Sequence, residues 1–279
     1  MNADAPTILS TFCWCPTPAP SRLHTYHAPP DGETRFDRDG AYRRELHRCA
    51  ACGHVRSAGH RPDDDLYAGD YVHATYGTLA DVRAAFDRIM ALPPERSDNR
   101  RRVARIRAVV SRCGPPGPLR LLDVGSGLGV FPVAMRDAGW RCIALDPDPI
   151  ACAHLRARGL DVIEDRFGPD TRGAGDCDVI TFNKVLEHVD DPLAMLRAAA
   201  TCVRPGGIVY VEVPDVAAAD DEARFGREEF FIEHLHVFSP ASLDALARAA
   251  GFDVLDADAL REPSGKYTCF VFLRPEAPA

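Results

Sequence analysis

Three groups of residues in this 279-residue chain carry side chains that can do chemistry. The first is Asp123 with Gly125-Ser126-Gly127-Leu128-Gly129, followed by a second acid, Asp146. Glycines alternating with other residues let the backbone turn tightly, take positive φ and approach a ligand with no Cβ in the way. An acid about twenty residues further on is placed to accept from both hydroxyls of a ribose. The second group pairs histidines with glutamates, Glu187-His188 and Glu233-His234, with His236 close behind. Histidine is the side chain whose ordinary pKa suits a general base near neutrality. The third group is four of the ten cysteines in two close pairs, Cys13-Trp14-Cys15 and Cys49-Ala50-Ala51-Cys52-Gly53. The later pair has the spacing of a zinc knuckle, and two such pairs complete a closed, structural tetrahedron. Because Cys13 and Cys15 stand closer than a usual knuckle, His24, His27, His47 and His54 stay in view as substitute ligands. The plainer alternative is a set of reduced, unmetallated thiols.

These residues need elements to position them. Leu121-Leu122-Asp123-Val124 reads as a buried parallel strand and a helix begins near Val130. The glycine turn between them is expected to present free backbone N–H groups and a helix N-terminus at the sheet edge, where nucleotide-like ligands bind. A second strand, Arg141 to Leu145, runs into Asp146 and Pro147; a third, Asp161 to Ile163, ends at Glu164 and Asp165. A fourth, Asp178 to Phe182, leads into Asn183-Lys184-Val185-Leu186-Glu187-His188, and a fifth, Ile208 to Val213, follows Arg204-Pro205-Gly206-Gly207. Phe252 to Leu255 and Tyr267 to Leu273 read as a terminal antiparallel pair. Helical patterns cover 81–91, 98–112, 149–158, 192–203 and 242–250. In the second of these, Arg100, Arg101, Arg105 and Arg112 are read as one face, with Val103, Ile106, Val109 and Val110 opposite. A solvated helix packed on the sheet edge is preferred there over a nucleic-acid face, because the net charge is −8 and no aromatics interleave.

The G-x-G-x-G spacing, with Val at position 130 where a dinucleotide fingerprint has glycine, resembles the first motif of class I S-adenosylmethionine (SAM) methyltransferases. Val185-Leu186-Glu187-His188-Val189-Asp190-Asp191-Pro192 resembles the family's VLEHVxDP stretch, and 204–214 its RPGG-strand-P pattern. The resemblance covers residues 119 to 273 closely, where it is nearest the quinone O-methyltransferase-like group. It covers the first seventy-five loosely, as a zinc-ribbon-like module followed by a Y-x-x-x-Y segment with Tyr67, Tyr71 and Tyr76. It implies an α/β fold with a Rossmann-like seven-stranded sheet, six strands parallel and one antiparallel. The implied organisation is a zinc-binding module in 1–77, a helical linker or lid in 78–118 and a SAM-binding domain in 119–279. The implied cofactor residues are Asp123, Gly125, Ser126, Gly127, Gly129, Asp146, Pro147, Asp165, Asn183 and Tyr71, with Asp165 facing the adenine amino group and Tyr71 capping the methionine portion. The implied catalytic residues are His234, His236, His188 and Glu187, and the implied zinc ligands Cys13, Cys15, Cys49 and Cys52. Relatives acting on small-RNA ends hold a divalent cation with Glu-x-x-Glu-His and a later histidine. Glu187, His188 and His236 match that set, but Lys184 stands at the first glutamate, so a base without a catalytic metal is expected.

The expected function is SAM-dependent methyl transfer to a small molecule, at oxygen before nitrogen or carbon, with a sugar or secondary metabolite as acceptor. The alternatives are an RNA or protein methyltransferase, and a zinc-bearing SAM-binding protein without turnover. No apolar run is long enough to span a membrane, and the N-terminus lacks the basic and apolar regions of a secretory signal, so the expected location is cytoplasmic. Nothing in the sequence bears on oligomeric state.

Overall fold

A computed structural model describes residues 12–34, 42–61 and 75–276. Tyr67 and Tyr71, expected near the cofactor, lie outside the described residues. Three strands open the chain, β1 (Pro20–Tyr26), β2 (Arg44–Cys49) and β3 (Val55–Gly59), paired antiparallel in that order. Helices α1 (Leu79–Met90) and α2 (Asp98–Cys113) follow. Thr78 caps the first through a reciprocal box with Asp81, and Ser97 caps the second by accepting from the Arg100 N–H.

The main sheet is built from β4 (Arg120–Val124), β5 (Arg141–Asp146), β6 (Asp161–Glu164), β7 (Cys177–Asn183), β8 (Val203–Pro214), β10 (Phe252–Arg261) and β11 (Tyr267–Pro275). Its order is β10-β11-β8-β7-β4-β5-β6, and only β11 runs against the other six, as the resemblance implied. The central strands are buried on both faces, the pattern a covered parallel sheet requires. In β4, Leu121 packs with Phe86, Ile106, Val109 and Phe131, whereas Leu122 packs on the other face with Leu196, Leu243 and Leu246. The strand period of two thus sends successive leucines into separate layers. The first layer is α1 and α2 with α3 (Val130–Asp137) and α4 (Pro149–Ala157); the second is α5 (Pro192–Cys202) and α6 (Pro240–Ala249). Segment 78–118 is therefore a layer of the sheet domain, contributing Phe86, Ile106, Val109 and Val110 to its core.

Strand order reverses beside β4, since the chain proceeds to β5 and β6 on one side and to β7 and β8 on the other. That switch point opens a crevice at the strands' carboxyl ends. After β8 the chain leaves the sheet for a long loop of short 3₁₀ turns, then adds β9 (His236–Val237) to the edge of β3. The N-terminal sheet is thus completed by a strand from the sequence's far end, and Tyr26, Leu46 and Val55 share one core with Val216, Phe230 and Val237. Among the described residues no helix is long and apolar enough to cross a membrane.

Candidate active site

A cavity of about 1100 Å³ occupies the switch-point crevice, floored by Asp123 to Phe131 and Leu145 to Asp148, and walled by Asn183, Lys184, Glu187, His188, Glu212, Glu233 and His234. Its size is slightly above the usual range for small-molecule sites, about 300–1000 Å³, which leaves room for a nucleoside and an acceptor together.

At one end stands the glycine loop. Gly125, Gly127 and Gly129 all have positive φ. A Cβ on Gly125 would sit 2.7 Å from Val185 Cγ2, and one on Gly129 would overlap Leu155, whereas at Gly127 nothing lies within 4 Å and the backbone faces open space. Four of the loop's N–H groups already have partners within the protein. Those of Gly125 and Ser126 go to the Leu145 carbonyl, that of Gly129 to Ser126, and that of Gly127 to Asp146 Oδ2 at 2.8 Å. With these four donors engaged and a carboxylate standing where an anion would sit, the turn suits a nucleoside better than a phosphate. Asp146 is buried, and burial raises its pKa; Oδ1 also accepts from the Asp148 N–H. Asp123 is pushed up to about 6 by burial, against the hydrogen bonds it receives from Thr181 (2.7 Å) and Asn183 (2.7 Å). Asn183 lines the cavity, and its buried Oδ1 has no partner among the described residues. Pro147, Tyr76, Arg166 and Phe167 also line the cavity. Asp165 is exposed, accepts from the Arg166 N–H through Oδ1, and is not among the residues lining the cavity.

The other end holds Glu187, His188 and His234, whose ligand-type atoms all lie within 4.8 Å of one another. The short turn after β7 delivers the first two; the loop before β9 delivers the third. Glu187 is fully buried, neither carboxylate oxygen has a hydrogen-bond partner among the described residues, and burial pushes it up to about 8. His188 Nδ1 donates to the Glu233 carbonyl (2.9 Å) and His234 Nδ1 to the Glu229 carbonyl (3.0 Å). Each bond fixes the proton on Nδ1 and leaves Nε2 as the basic nitrogen. Burial lowers His188 to about 4 and His234 well below its ordinary value, so both rings are neutral bases at pH 7. Burial also pushes Glu233 up, to about 7.

His236 is not part of this group. It lies in β9, buried, with Nδ1 3.0 Å from His54 Nε2, beside Trp14 and Phe238, and it does not line the cavity. His234 lies in the turn before β9, its N–H bonded to the Phe231 carbonyl, whereas His236 begins β9 and pairs with Arg56, which binds it into the N-terminal sheet.

Two residues that the sequence reading did not single out line this cavity, Arg102 and Glu212. Glu212 is fully buried and receives Arg102 through two hydrogen bonds, Arg105 at 3.2 Å and the Tyr210 hydroxyl at 2.7 Å; these hold its pKa far down against desolvation. Arg105, read as part of an outer face, points inward. The signal was present: Arg102, Arg105, Ile106 and Val109 fall at i, i+3, i+4 and i+7, one helix face. Lys184 adds a cation whose Nζ donates to Thr268 Oγ1 (2.8 Å) and lies 4.0 Å from Glu212; its φ of 61° is held by its N–H bonding to the Glu212 carbonyl. A non-glycine residue in that region is strained by about 1–3 kcal/mol, a pattern that gathers at functional sites.

Away from the cavity, Cys13, Cys15, Cys49 and Cys52 bring their sulfurs together within 4.8 Å, with Cys13–Cys15 at 3.5 Å and Cys15–Cys49 at 3.8 Å. Tetrahedral thiolates at about 2.3 Å from a zinc ion stand about 3.8 Å apart, so the spacing fits. None of the four histidines considered as substitutes joins this group. Burial pushes Cys52 up to about 11; at Cys49 burial acts the same way, but hydrogen bonds from the Ala19, Cys52 and Ala51 backbone outweigh it and leave it near 6.

Comparison with known proteins agrees with this geometry. Residues 96–257 match the family model described as a methyltransferase domain. The chain is 32% identical over 149 residues to the ubiquinone biosynthesis O-methyltransferase of Bordetella avium, covering 48% of this chain and 62% of that protein. It is 32% identical over 174 residues to the enzyme of the same name from Xanthomonas axonopodis pv. citri, covering 56% and 71%. The match thus spans less than two thirds of the Bordetella relative's length. Among solved structures, the 1,6-didemethyltoxoflavin-N1-methyltransferase of Burkholderia thailandensis, bound to S-adenosylhomocysteine, superposes with a TM-score of 0.55 at 18% identity, covering 82% of this chain and 97% of that one. Carrying the glycine loop, the two acids and the LEH turn on this strand order, the chain belongs to the methyltransferase-domain family of class I SAM-dependent enzymes.

Proposed function

We propose that this protein transfers a methyl group from SAM to an oxygen of a small-molecule acceptor, a sugar or secondary metabolite, with His234 as the base. The observation that carries the reading is the convergence of Glu187, His188 and His234 on the cavity that Asp146 and the glycine loop also line. SAM supplies a methyl on a positively charged sulfur that departs neutral. The chain's residues do the rest. Asp146 accepts from the ribose, Asp123 and Asn183 face the amino acid portion, and the walls exclude water. As the acceptor oxygen bonds to the methyl carbon and the carbon–sulfur bond breaks, the acceptor's proton passes to Nε2 of His234. Glu229, through its carbonyl, keeps the opposite nitrogen protonated. Positioning of this kind contributes several kcal/mol of the barrier reduction, on the order of 7–11 at best. A structural zinc on the four cysteines belongs to the same reading.

The test is untargeted mass spectrometry of acceptors labelled from methyl-labelled SAM, followed by variants. His234→Ala lowers kcat by roughly 10²–10⁴ with SAM affinity nearly unchanged, whereas His236→Ala lowers stability more than turnover per folded molecule. Near-normal turnover in His234→Ala would remove it as the base. A divalent cation on Glu187, His188 and His234 is the second reading, favoured by their mutual distances. The Lys184 charge, which acts on all three, opposes it. Chelator and added Mg²⁺ therefore leave the rate unchanged; strict Mg²⁺ dependence would reverse that choice.

A further inference from the structure

We infer that the N-terminal sheet is a positioning device for the acceptor loop, and that the buried Glu33–Arg44 pair sets the placement of His234. This rests on the reading of His234 as the base.

The loop between β8 and β9 has almost no regular structure to hold it, yet it must place one imidazole against the LEH turn. The LEH turn holds the loop at Glu233 and Leu235, β11 holds it at Glu229, and the N-terminal sheet with its β1–β2 connection holds it at successive further points. The Tyr26 hydroxyl donates to the Phe225 carbonyl (2.8 Å), Arg44 Nη2 to the Phe230 carbonyl (2.7 Å), and the Ile232 N–H donates to Glu33 Oε2 (2.6 Å). The Ser57 N–H reaches the Leu235 carbonyl (2.9 Å), and β3 then pairs with β9. These contacts bracket Glu233-His234 on both sides.

The pair at the centre is built for geometry. Arg44 is fully buried, its guanidinium 4.2 Å from the Tyr26 ring centroid, with Nη2 3.2 Å from Glu33, Nε 3.1 Å from the Tyr42 hydroxyl and Nη1 3.4 Å from Ser57 Oγ. Glu33, 1% exposed at its side chain, receives the Tyr42 hydroxyl at 2.6 Å on its other oxygen. A buried ion pair of this kind is weak evidence for stability, because apolar replacements of both partners are often neutral. What apolar replacements cannot reproduce is the hold on a carbonyl at 230 and an N–H at 232. The His234 ring bonds to the carbonyl of Glu229, the residue next to that hold, and its own N–H bonds to the Phe231 carbonyl. Moving 230 and 232 therefore turns the imidazole. Gly32 and Thr34, flanking Glu33, also line the cavity, so the same segment forms part of the acceptor's wall.

The experiment uses the full chain with Glu33→Gln/Arg44→Met, which removes both charges together, and Arg44→Lys, which keeps the charge but cannot hold Glu33 and the Phe230 carbonyl in one plane. Amide exchange across 229–236 is followed by mass spectrometry, the His234 ring by ¹⁵N NMR, and SAM affinity by calorimetry. The double variant stays folded with wild-type SAM affinity, exchanges about tenfold faster at Ile232 and Leu235, and loses the single Nδ1–H tautomer of His234. Arg44→Lys gives a smaller change in the same direction. Unchanged exchange and an unchanged His234 spectrum in a folded double variant overturn the inference, as does wild-type exchange in Arg44→Lys. Failure of the base reading looks different: His234→Ala would retain turnover while the ring still lost its tautomer in the double variant.

Discussion

Asp146 does two things with one carboxylate. It closes the glycine turn by accepting from Gly127 and Asp148, and it stands at the cavity floor where ribose hydroxyls are expected. Because the two N–H bonds leave further lone pairs on a buried carboxylate, the loop is preorganised before any ligand arrives. Asp146→Ala removes the ligand's acceptor and also frees the Gly127 N–H. We expect it to weaken SAM binding by about 1–3 kcal/mol, roughly 5- to 150-fold, in calorimetry. An unchanged affinity would take Asp146 out of the site. The histidines teach a related lesson at the same scale. His234 and His236 are the same chemistry two positions apart, and only the bonds of their neighbours decide that one faces the cavity and the other is buried against His54 and Trp14.

At the scale of elements, what the sequence made legible was local. Strand β4, the glycine turn and α3 are contiguous, and so are β7 and the LEH turn, so the positions of Asp123, Glu187 and His188 follow from short-range patterns. What stayed hidden was non-local. The pairing of β3 with β9 joins residues about 180 positions apart, and no periodicity announces a two-residue strand. For Arg105 the spacing with Arg102, Ile106 and Val109 marks the inward face, but its partners, Tyr210 and Glu212 on β8, follow only from how α2 docks. The cysteine module lies between these cases: its spacing was readable, its attachment was not. Trp14, between two of the cysteines, stacks on Phe238 with centroids 6.0 Å apart, and the Cys52 carbonyl accepts from Ser239, the cap of α6. If zinc occupies the four thiolates, metal analysis finds about one equivalent per chain, and Cys49→Ser/Cys52→Ser loses it. Because the knuckle is bonded to the α6 cap, that variant also lowers the melting temperature of the whole sheet domain. Zinc retained in the variant would place the metal elsewhere.

For the whole molecule, the acceptor end of the cavity is a seam where β7, the loop and the N-terminal sheet meet, and buried titratable groups along it tie global stability to pH. Glu187, ordinarily near 4.5, is raised by burial to about 8, and Glu233 likewise to about 7. A raised carboxyl favours folding while both states are protonated, and that contribution fades as pH climbs from the unfolded value through the folded one. His188 and His236, ordinarily near 6.5, are lowered by burial to about 4 and about 3, and burial lowers His234 well below its ordinary value in the same sense. A lowered histidine contributes fully above its unfolded value and its contribution is lost as pH falls toward the folded one. Among these groups, the histidines contribute a rise in stability with pH below about 6.5, and the glutamates a fall that for Glu187 extends to about pH 8, with a slope of at most about 1.4 kcal/mol per pH unit. Cys49, held near 6 against an ordinary 9, contributes a rise over the same interval, so the Glu187 contribution is read as a difference between two proteins that share the thiol. Urea midpoints measured from pH 5 to 9 on wild type and on Glu187→Gln should show the wild-type protein losing stability relative to the variant as pH climbs from 5 to 8, and no further relative loss above 8. A difference between the two proteins that is level from pH 7 to 8 would mean that Glu187 is already ionised in the folded protein, and with Lys184 beside it the cavity would then hold a charged pair in place of a neutral acid.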